Sequence, residues 1–227
     1  MIEGAKYRHE MKYIITEEQF SFLRNRVESV MHLDKHIIDG KYQIRSLYFD
    51  DYKNSCYYEN ENGVDPREKF RVRIYNADDS RISLECKRKE KGKTHKTSCL
   101  LSKEDYFDLL NGGGFCGFSN KPPILRKFIL LMKTRLYKPV VIVDYERIPY
   151  VCEQGNVRVT FDRNICSSRD IDNFFNDNII KRPILPVGQH LLEIKYDELL
   201  PKYIDEVLQT GELEKTAFSK YYLCRKF

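Results

Sequence analysis

Between Tyr7 and Ile15 the chain alternates, with Arg8, Glu10, Lys12 and Ile14 on one face and Tyr7, His9, Met11, Tyr13 and Ile15 on the other. A period of two predicts a β-strand. The period then changes: Thr16 and Gln19 stand at capping-box spacing, and Phe20, Leu23, Val27 and Val30 recur at helical intervals, predicting a helix to about His32. Further strand patterns run over Tyr42–Asp50, Arg67–Tyr75, Arg81–Glu90, Lys93–Leu101, Pro139–Ile148, Val157–Arg163 and Leu191–Tyr196, making eight with the first. The two strands around Gly92 are close enough for a hairpin, and shorter helices are expected over Ser102–Leu110, Ile124–Leu136 and Lys202–Thr210.

Helices that interrupt the strands, instead of alternating with them, speak against a doubly wound parallel sheet. They predict an α+β fold, a mainly antiparallel eight-stranded barrel with appended helices packed outside. One domain over residues 1–227 suits the length, with Gly112-Gly113-Gly114 and Pro122-Pro123 marking the best place for an internal hinge. The triple glycine is expected to end a helix, not to cradle phosphate.

The strands share an unusual arrangement of charge. Arg67, Lys69, Arg71 and Arg73 fall on one face of their strand, opposite Phe70, Val72 and Ile74. Ser83, Glu85, Lys87 and Lys89 oppose Ile82, Leu84 and Cys86, and the hairpin partner adds Thr94, Lys96 and Ser98. Arg158, Thr160 and Asp162, then Glu193 and Lys195, repeat the arrangement later in the chain. Solvent exposure explains any one such face. As a set, however, cations one strand pitch apart repel unless something anionic lies between them. If the apolar faces pack against the helices, the charged faces line the interior, where an eight-stranded barrel has room for a small ligand or a filled core. Arginine forks match phosphate oxygens bidentately and lysines act as point charges, so a linear phosphate chain suits such a bore. The pattern itself indicates a polyanion without saying which.

Composition limits the alternatives. Apolar residues at 41% and aromatics at 13% support a packed globule, while 32% charged residues is high. Yet 39 Lys and Arg against 34 Asp and Glu leave only +5, so anion specificity must come from placement and not from bulk charge. No helix-turn-helix, aromatic RNA-binding pattern or basic tail is present, and no nucleic-acid partner is expected. A P-loop is absent. The seven cysteines are scattered without a C-x-x-C pair and read as reduced, mostly buried thiols. Met1–Lys6 lacks an apolar leader core, and the most apolar stretch, Ile124–Met132, is short and contains Arg126 and Lys127. A cytoplasmic protein without its own membrane segment is therefore expected.

Several short motifs occur in a specific order: R-x-E-x-K-Y at Arg8–Tyr13, I-R-S-L-Y-F-D at Ile44–Asp50, R-x-R at Arg71 and Arg73, E-x-K at Glu85 and Lys87, Y-x-R at Tyr145–Arg147, R-V-T-F-D at Arg158–Asp162, L-E-I-K at Leu192–Lys195 and F-S-K at Phe218–Lys220. Over nearly the whole chain this series resembles the catalytic domain of the vacuolar transporter chaperone (VTC) complex, a polyphosphate polymerase of the triphosphate tunnel metalloenzyme, or CYTH-like, superfamily. The resemblance implies that Lys12, Arg71, Arg73, Lys87, Lys96, Arg147, Arg158, Ser219 and Lys220 contact phosphate. It implies that Glu193 binds a divalent metal, Mn²⁺ or Mg²⁺, with Glu10 and Glu85 as further candidate carboxylates. Arg8, Tyr145 and Lys195 join Ser219 as candidates for holding substrate.

The implied partners are ATP and inorganic polyphosphate, the γ-phosphoryl of ATP passing to the growing chain inside the tunnel. A membrane partner that receives the product stays open. The hydrolytic members of the superfamily begin E-x-E-x-K, whereas here Arg8 replaces the first glutamate, which leans towards transfer over hydrolysis. The helical phosphate-sensing domain and membrane helices of the eukaryotic polymerase are not represented in the sequence, which suggests a stand-alone form. The alternatives are an inorganic triphosphatase of the same superfamily and a non-catalytic polyphosphate-binding protein.

Overall fold

A computed structural model of the chain describes residues 8–35, 37, 40–112, 117–209 and 213–226. The elements in order are β1 (His9–Thr16), α1 (Glu17–Glu28), β2 (His32–Leu33), β3 (Tyr42–Asp50), α2 (Ser55–Glu61), β4 (Arg67–Tyr75), β5 (Asp78–Glu90) and β6 (Lys93–Leu101). There follow α3 (Lys103–Asn111), α4 (Pro123–Arg135), β7 (Lys138–Cys152), β8 (Val157–Ser168), β9 (Arg182–Pro183), β10 (Gln189–Tyr196), α5 (Lys202–Leu208) and α6 (Lys220–Lys226).

The eight long strands form one antiparallel sheet in the order β1-β10-β8-β7-β3-β4-β5-β6, and the two-residue strands β2 and β9 add to β7 and β8. The sheet curls until its outermost strands touch, where Arg8 bridges Thr94 and its amide donates to the Thr94 carbonyl at 3.3 Å. The predicted α+β architecture is present. β3 pairs with β7 from Tyr42/Arg147 to Asp50/Lys138, so strands on either side of the Gly-Pro segment share one sheet. Gly113 and Gly114 lie outside the described residues, but Gly112 does end α3, in the left-handed conformation at φ 63°.

One face of the sheet is apolar and carries helices. Phe20, Leu23 and Val27 of α1 and Ile204 and Leu208 of α5 bury against Val159, Phe161, Leu192 and Ile194. Tyr106 and Leu109 of α3, with Leu125, Phe128 and Ile129 of α4, bury against Phe70, Val72 and Leu84. This division leaves the opposite face of the strands to the charged residues. Two helices depart from the outer layer: α2 and α6 pack on one another and close the charged side.

The element boundaries differ from expectation in instructive places. The Thr16–Gln19 capping box forms in both directions, at 3.2 and 3.0 Å, but α1 stops at Glu28, because His32 and Leu33 pair with Val151 and Tyr150. Sheet pairing there displaces the last helical turn. Neither α2 nor α6 is predicted by periodicity. After the F-S-K motif, Lys220 opens a helix that buries Tyr221 and Cys224. Tyr7 and Thr210, expected ends of a strand and a helix, lie outside the described residues, as does Cys116. The other six cysteines are free thiols, three of them buried. Among the described residues no helix is long and apolar enough to cross a membrane.

Candidate functional site: a cationic cavity inside the curled sheet

Strand register decides which side chains meet on the charged face. β1 and β10 pair Lys12 with Glu193 and Glu10 with Lys195, and β7 and β8 pair Arg147 with Asp162. β4 and β5 set Arg71 opposite Glu85, Lys69 opposite Lys87 and Arg67 opposite Lys89. Together with α2 and α6 these strands enclose a cavity of about 500 Å³. Ten Lys and Arg line it (Lys12, Arg67, Lys69, Arg71, Arg73, Lys87, Lys89, Arg147, Lys195 and Lys220) against three Glu, at 10, 61 and 193. That excess suits the cavity to an anionic ligand.

At one end the cations gather around Glu193. Lys195 Nζ lies 2.7 Å and Arg147 Nη2 3.3 Å from Oε2, while Lys220 and Lys12 lie 3.2 and 3.4 Å from Oε1. Asp162, fully buried, holds Arg147 through two bonds of 2.6 and 2.7 Å and meets Lys220 Nζ at 2.6 Å. Glu10 pairs with Lys87 at 2.8 Å and Lys12 at 3.2 Å. Burial alone would raise the pKa of these carboxylates. For Glu193 the cations Lys195, Lys220, Lys12 and Arg147 outweigh it and hold the group well below the usual range. For Glu10 the counterweight is Lys87, Lys195 and Lys12, and for Asp162 it is Arg147 and Lys220. All three are ionised at neutral pH.

Further along the cavity Arg71 sends Nε and Nη2 to Glu85 Oε2, at 2.8 and 2.6 Å, and Nη1 to the Tyr48 hydroxyl at 2.8 Å. Arg73 donates to Ser46 Oγ at 3.1 Å and reaches the Tyr145 hydroxyl at 3.5 Å. Both guanidinium groups are thereby oriented by the strands that carry them. Tyr145 also lies beneath Lys220 and Arg147, with Nζ 4.8 Å and Cζ 5.3 Å from its ring centre.

The structure brings Lys12, Arg71, Arg73, Lys87, Arg147, Tyr145, Lys195, Ser219, Lys220, Glu10 and Glu193 together in the cavity wall. Four candidates stand apart. Glu85 lies behind the arginines, its oxygens taken by Arg71 and by Lys96 at 3.0 Å. Lys96 is half exposed on β6, opposite Lys87, and pairs with Glu85. Arg158 turns to Asp34 at 2.7 Å and the Tyr42 hydroxyl at 2.9 Å. Arg8 sits where the sheet edges meet, paired with Asp197 at 2.9 Å and bonded to the Asn156 carbonyl. Alternation assigns a residue to a face but not to a partner, and Arg8 and Arg158, strand neighbours of Thr94 and Lys195 in the wall, turn to Asp197 and Asp34.

Further residues belong to the site or support it without being among the motif-derived candidates. Lys69 and Arg67 share the Arg71 face, so strand alternation carried their signal although the R-x-R motif did not. Asp162 lay in R-V-T-F-D, but its partners come from β7 and α6 and are visible only in the fold. Asn60 and Tyr221 enter on the two unpredicted helices.

A divalent metal has two suitable donors here. Glu10 and Glu193 both face the cavity and offer the hard oxygens that Mg²⁺ and Mn²⁺ prefer. No group of three or more metal-ligating side chains exists among the described residues. Substrate oxygens and water would have to complete the shell, as is usual for Mg²⁺ at phosphate sites.

A curled antiparallel sheet whose charged face encloses an Arg- and Lys-lined cavity defines a protein of the triphosphate tunnel type. Within that class the chain belongs to the VTC domain family, whose model matches residues 7–227. No curated protein matches the sequence. Among solved structures, the fold is similar to an adenylyl cyclase-like protein from Hippeastrum described as having a dominant triphosphatase activity, at TM-score 0.56 and 12% identity, covering 97% of this chain and 95% of that one. It is likewise similar to a candidate adenylate cyclase from Bacillus halodurans, at TM-score 0.56 and 15% identity, covering 95% of each chain. A protein of Pyrococcus horikoshii OT3 gives TM-score 0.51 at 16% identity, covering 97% of this chain and 99% of that one.

Proposed function

We propose that this protein is an ATP-dependent polyphosphate polymerase, a reading that rests on its family membership and on the state of the four carboxylates gathered around Arg71, Arg147, Lys12 and Lys220. Glu10, Glu85, Asp162 and Glu193 are each paired with Lys or Arg and held ionised far below neutrality. A carboxylate so depressed is a weak base, poorly suited to activating water. The terminal oxygen of a phosphate chain is already anionic and needs no base. That observation favours transfer to phosphate over transfer to water.

Phosphoryl transfer asks a protein chiefly for positioning and for neutralisation of charge on the equatorial oxygens. Arg71, Arg73, Arg147, Lys12 and Lys220 supply both, with their geometry set beforehand by Glu85, Tyr48, Asp162 and Glu193. A chain-terminal oxygen attacks the γ-phosphorus of ATP, the bond from that phosphorus to the β,γ-bridging oxygen breaks, and ADP leaves. Glu10 and Glu193 would hold the metal, which when bound supplies further charge neutralisation at the phosphate oxygens.

The test is incubation with ATP and Mn²⁺ or Mg²⁺, followed by gel analysis for long phosphate polymer. Wild-type protein should make polymer and Arg71→Ala and Lys220→Ala should not. Release of free phosphate without polymer would favour the triphosphatase reading, and binding without turnover a sensor.

A further inference from the structure

The most apolar stretch of the chain lies in α4, and the fold uses only one side of it. Ile124, Leu125, Phe128 and Ile129 are buried in the core under the sheet, whereas Leu130 is 56% exposed and Leu136, just past the helix, is 60% exposed. Helical spacing sets Arg126, Lys127, Lys133 and Thr134 around Leu130, three and four residues away on either side. From Lys121 to Lys138 the sequence holds six basic residues and no acidic one. Three of the six are neutralised from elsewhere in the fold, Lys121 by Asp105 at 2.7 Å, Lys127 by Glu68 at 2.6 Å and Arg135 by Asp51. Arg126, Lys133 and Lys138 have no carboxylate within 4.0 Å among the described residues.

Beside Leu136 the surface dips into a groove of about 440 Å³, lined by Ile129, Met132, Leu136 and Tyr137 together with Lys133 and Lys138. Among the described residues no carboxylate lines it. Leu136 takes the left-handed conformation, at φ 52°, where glycine or asparagine is the usual helix-ending residue. Ending the helix therefore does not account for a leucine here, and neither does burial. None of these residues lines the cationic cavity.

Unpaired cations on this face call for an anionic partner, and the apolar positions decide its kind. Leu130 and Leu136 are separate anchors flanked by cations. A fluid lipid interface accepts such anchors one by one, whereas a folded partner needs a continuous apolar centre to the contact. We propose that the outer face of α4, with Leu136 and Lys138, docks the protein on an anionic lipid surface. The two leucines enter the boundary between headgroups and acyl chains, Arg126, Lys133 and Lys138 meet the lipid phosphates, and the groove has room for part of one acyl chain.

Co-sedimentation of the full chain with vesicles tests this without nucleotide, so the result is independent of the reaction performed in the cavity. The protein should bind vesicles of phosphatidylglycerol mixed with phosphatidylcholine and not vesicles of phosphatidylcholine alone. Lys133→Glu/Lys138→Glu should weaken binding about tenfold or more, and Leu130→Asn/Leu136→Asn at least about fivefold. All four positions are exposed, asparagine suits the backbone at 136, and thermal melts check that each variant folds. Saturating tripolyphosphate, which occupies the cavity, should leave vesicle binding in place. Failure to bind the anionic vesicles, or binding that does not distinguish the two compositions, would overturn the proposal. So would wild-type binding by both double variants, or displacement by tripolyphosphate, which would assign the contact to the cavity's cations. Capture of a polyglutamate peptide in place of vesicles, lost in the same variants, would give the face to an acidic protein and equally contradict the lipid assignment.

Discussion

The Tyr221 hydroxyl donates a 2.5 Å hydrogen bond to the carboxylate of Asp50, a fully buried residue at the end of β3. The same carboxylate accepts from the amides of Cys56 and Tyr57, at 2.9 and 3.2 Å, satisfying the start of α2. One side chain thus joins α2 to α6, the two helices that close the cavity, and it does so beside Lys220. Tyr221→Phe should destabilise the protein by about 1–3 kcal/mol, the usual range for losing a buried bond to a charged group. It should also weaken tripolyphosphate binding severalfold by loosening Lys220. Chemical denaturation and calorimetry measure the two effects separately.

Glu85 gives an acid-side prediction. Burial raises its pKa, but Arg71, Arg73 and Lys96 outweigh burial and hold the group below its ordinary value. A depressed carboxylate contributes stability that is present above the unfolded pKa, about 4.3, and is lost as pH falls towards the folded one. Glu85→Gln should cost about 3 kcal/mol at pH 7, because two buried guanidinium groups lose their countercharge. The gap between wild type and variant should narrow as pH falls below about 4.3. Denaturant midpoints measured for both from pH 3 to 8 show whether it does.

Lys69 gives a prediction near neutrality. Burial, then repulsion from Arg67 on β4, push its pKa down to about 7; Cys56 on α2 opposes them, and Lys87 on β5 and Lys12 on β1 add smaller repulsions. Of its other neighbours, Asn60, Ser219 and Tyr221 are uncharged, and Glu59 on α2 lies close enough to feel its charge. A bound polyanion raises that pKa, so binding takes up a proton and must weaken as pH rises through 7. Affinity for long-chain polyphosphate, whose internal phosphates do not titrate there, should fall between pH 6 and pH 8 in wild type. Lys69→Met should flatten the profile.

Metal binding should depend on phosphate. Glu10 and Glu193 are occupied by lysines in the free protein, and a third ligating side chain is lacking among the described residues. Mn²⁺ binding followed by electron paramagnetic resonance should be weak alone and become at least about tenfold tighter with tripolyphosphate, which adds oxygen ligands and draws the lysines away. Glu193→Gln should lose most of that increase.

Much of the fold was legible because strand alternation is a strong local signal. The strands from Tyr42–Asp50 to Leu191–Tyr196 appear where polar and apolar residues take turns, and the Thr16–Gln19 pair marks the start of α1. The helices that complete the site were hidden for a physical reason. α2 and α6 are seven residues each, too short for a periodic stripe. α2 takes its capping from Asp50 at the end of β3 and from Asp51 just after it. Arg8, Arg158 and Lys96 share the inner-face pattern yet do not line the cavity, because a period of two says nothing about which partner a long side chain turns to. Lys69 shows the converse, a residue found by alternation and missed by motif.

Phosphorus NMR of the protein with ATP and Mg²⁺ reads the fate of the γ-phosphoryl group directly. Growth of an internal-phosphate resonance in step with ADP, absent with Arg71→Ala, is the expected result. ADP accumulating with an equal amount of inorganic phosphate and no internal-phosphate signal would contradict the transfer of phosphate to phosphate.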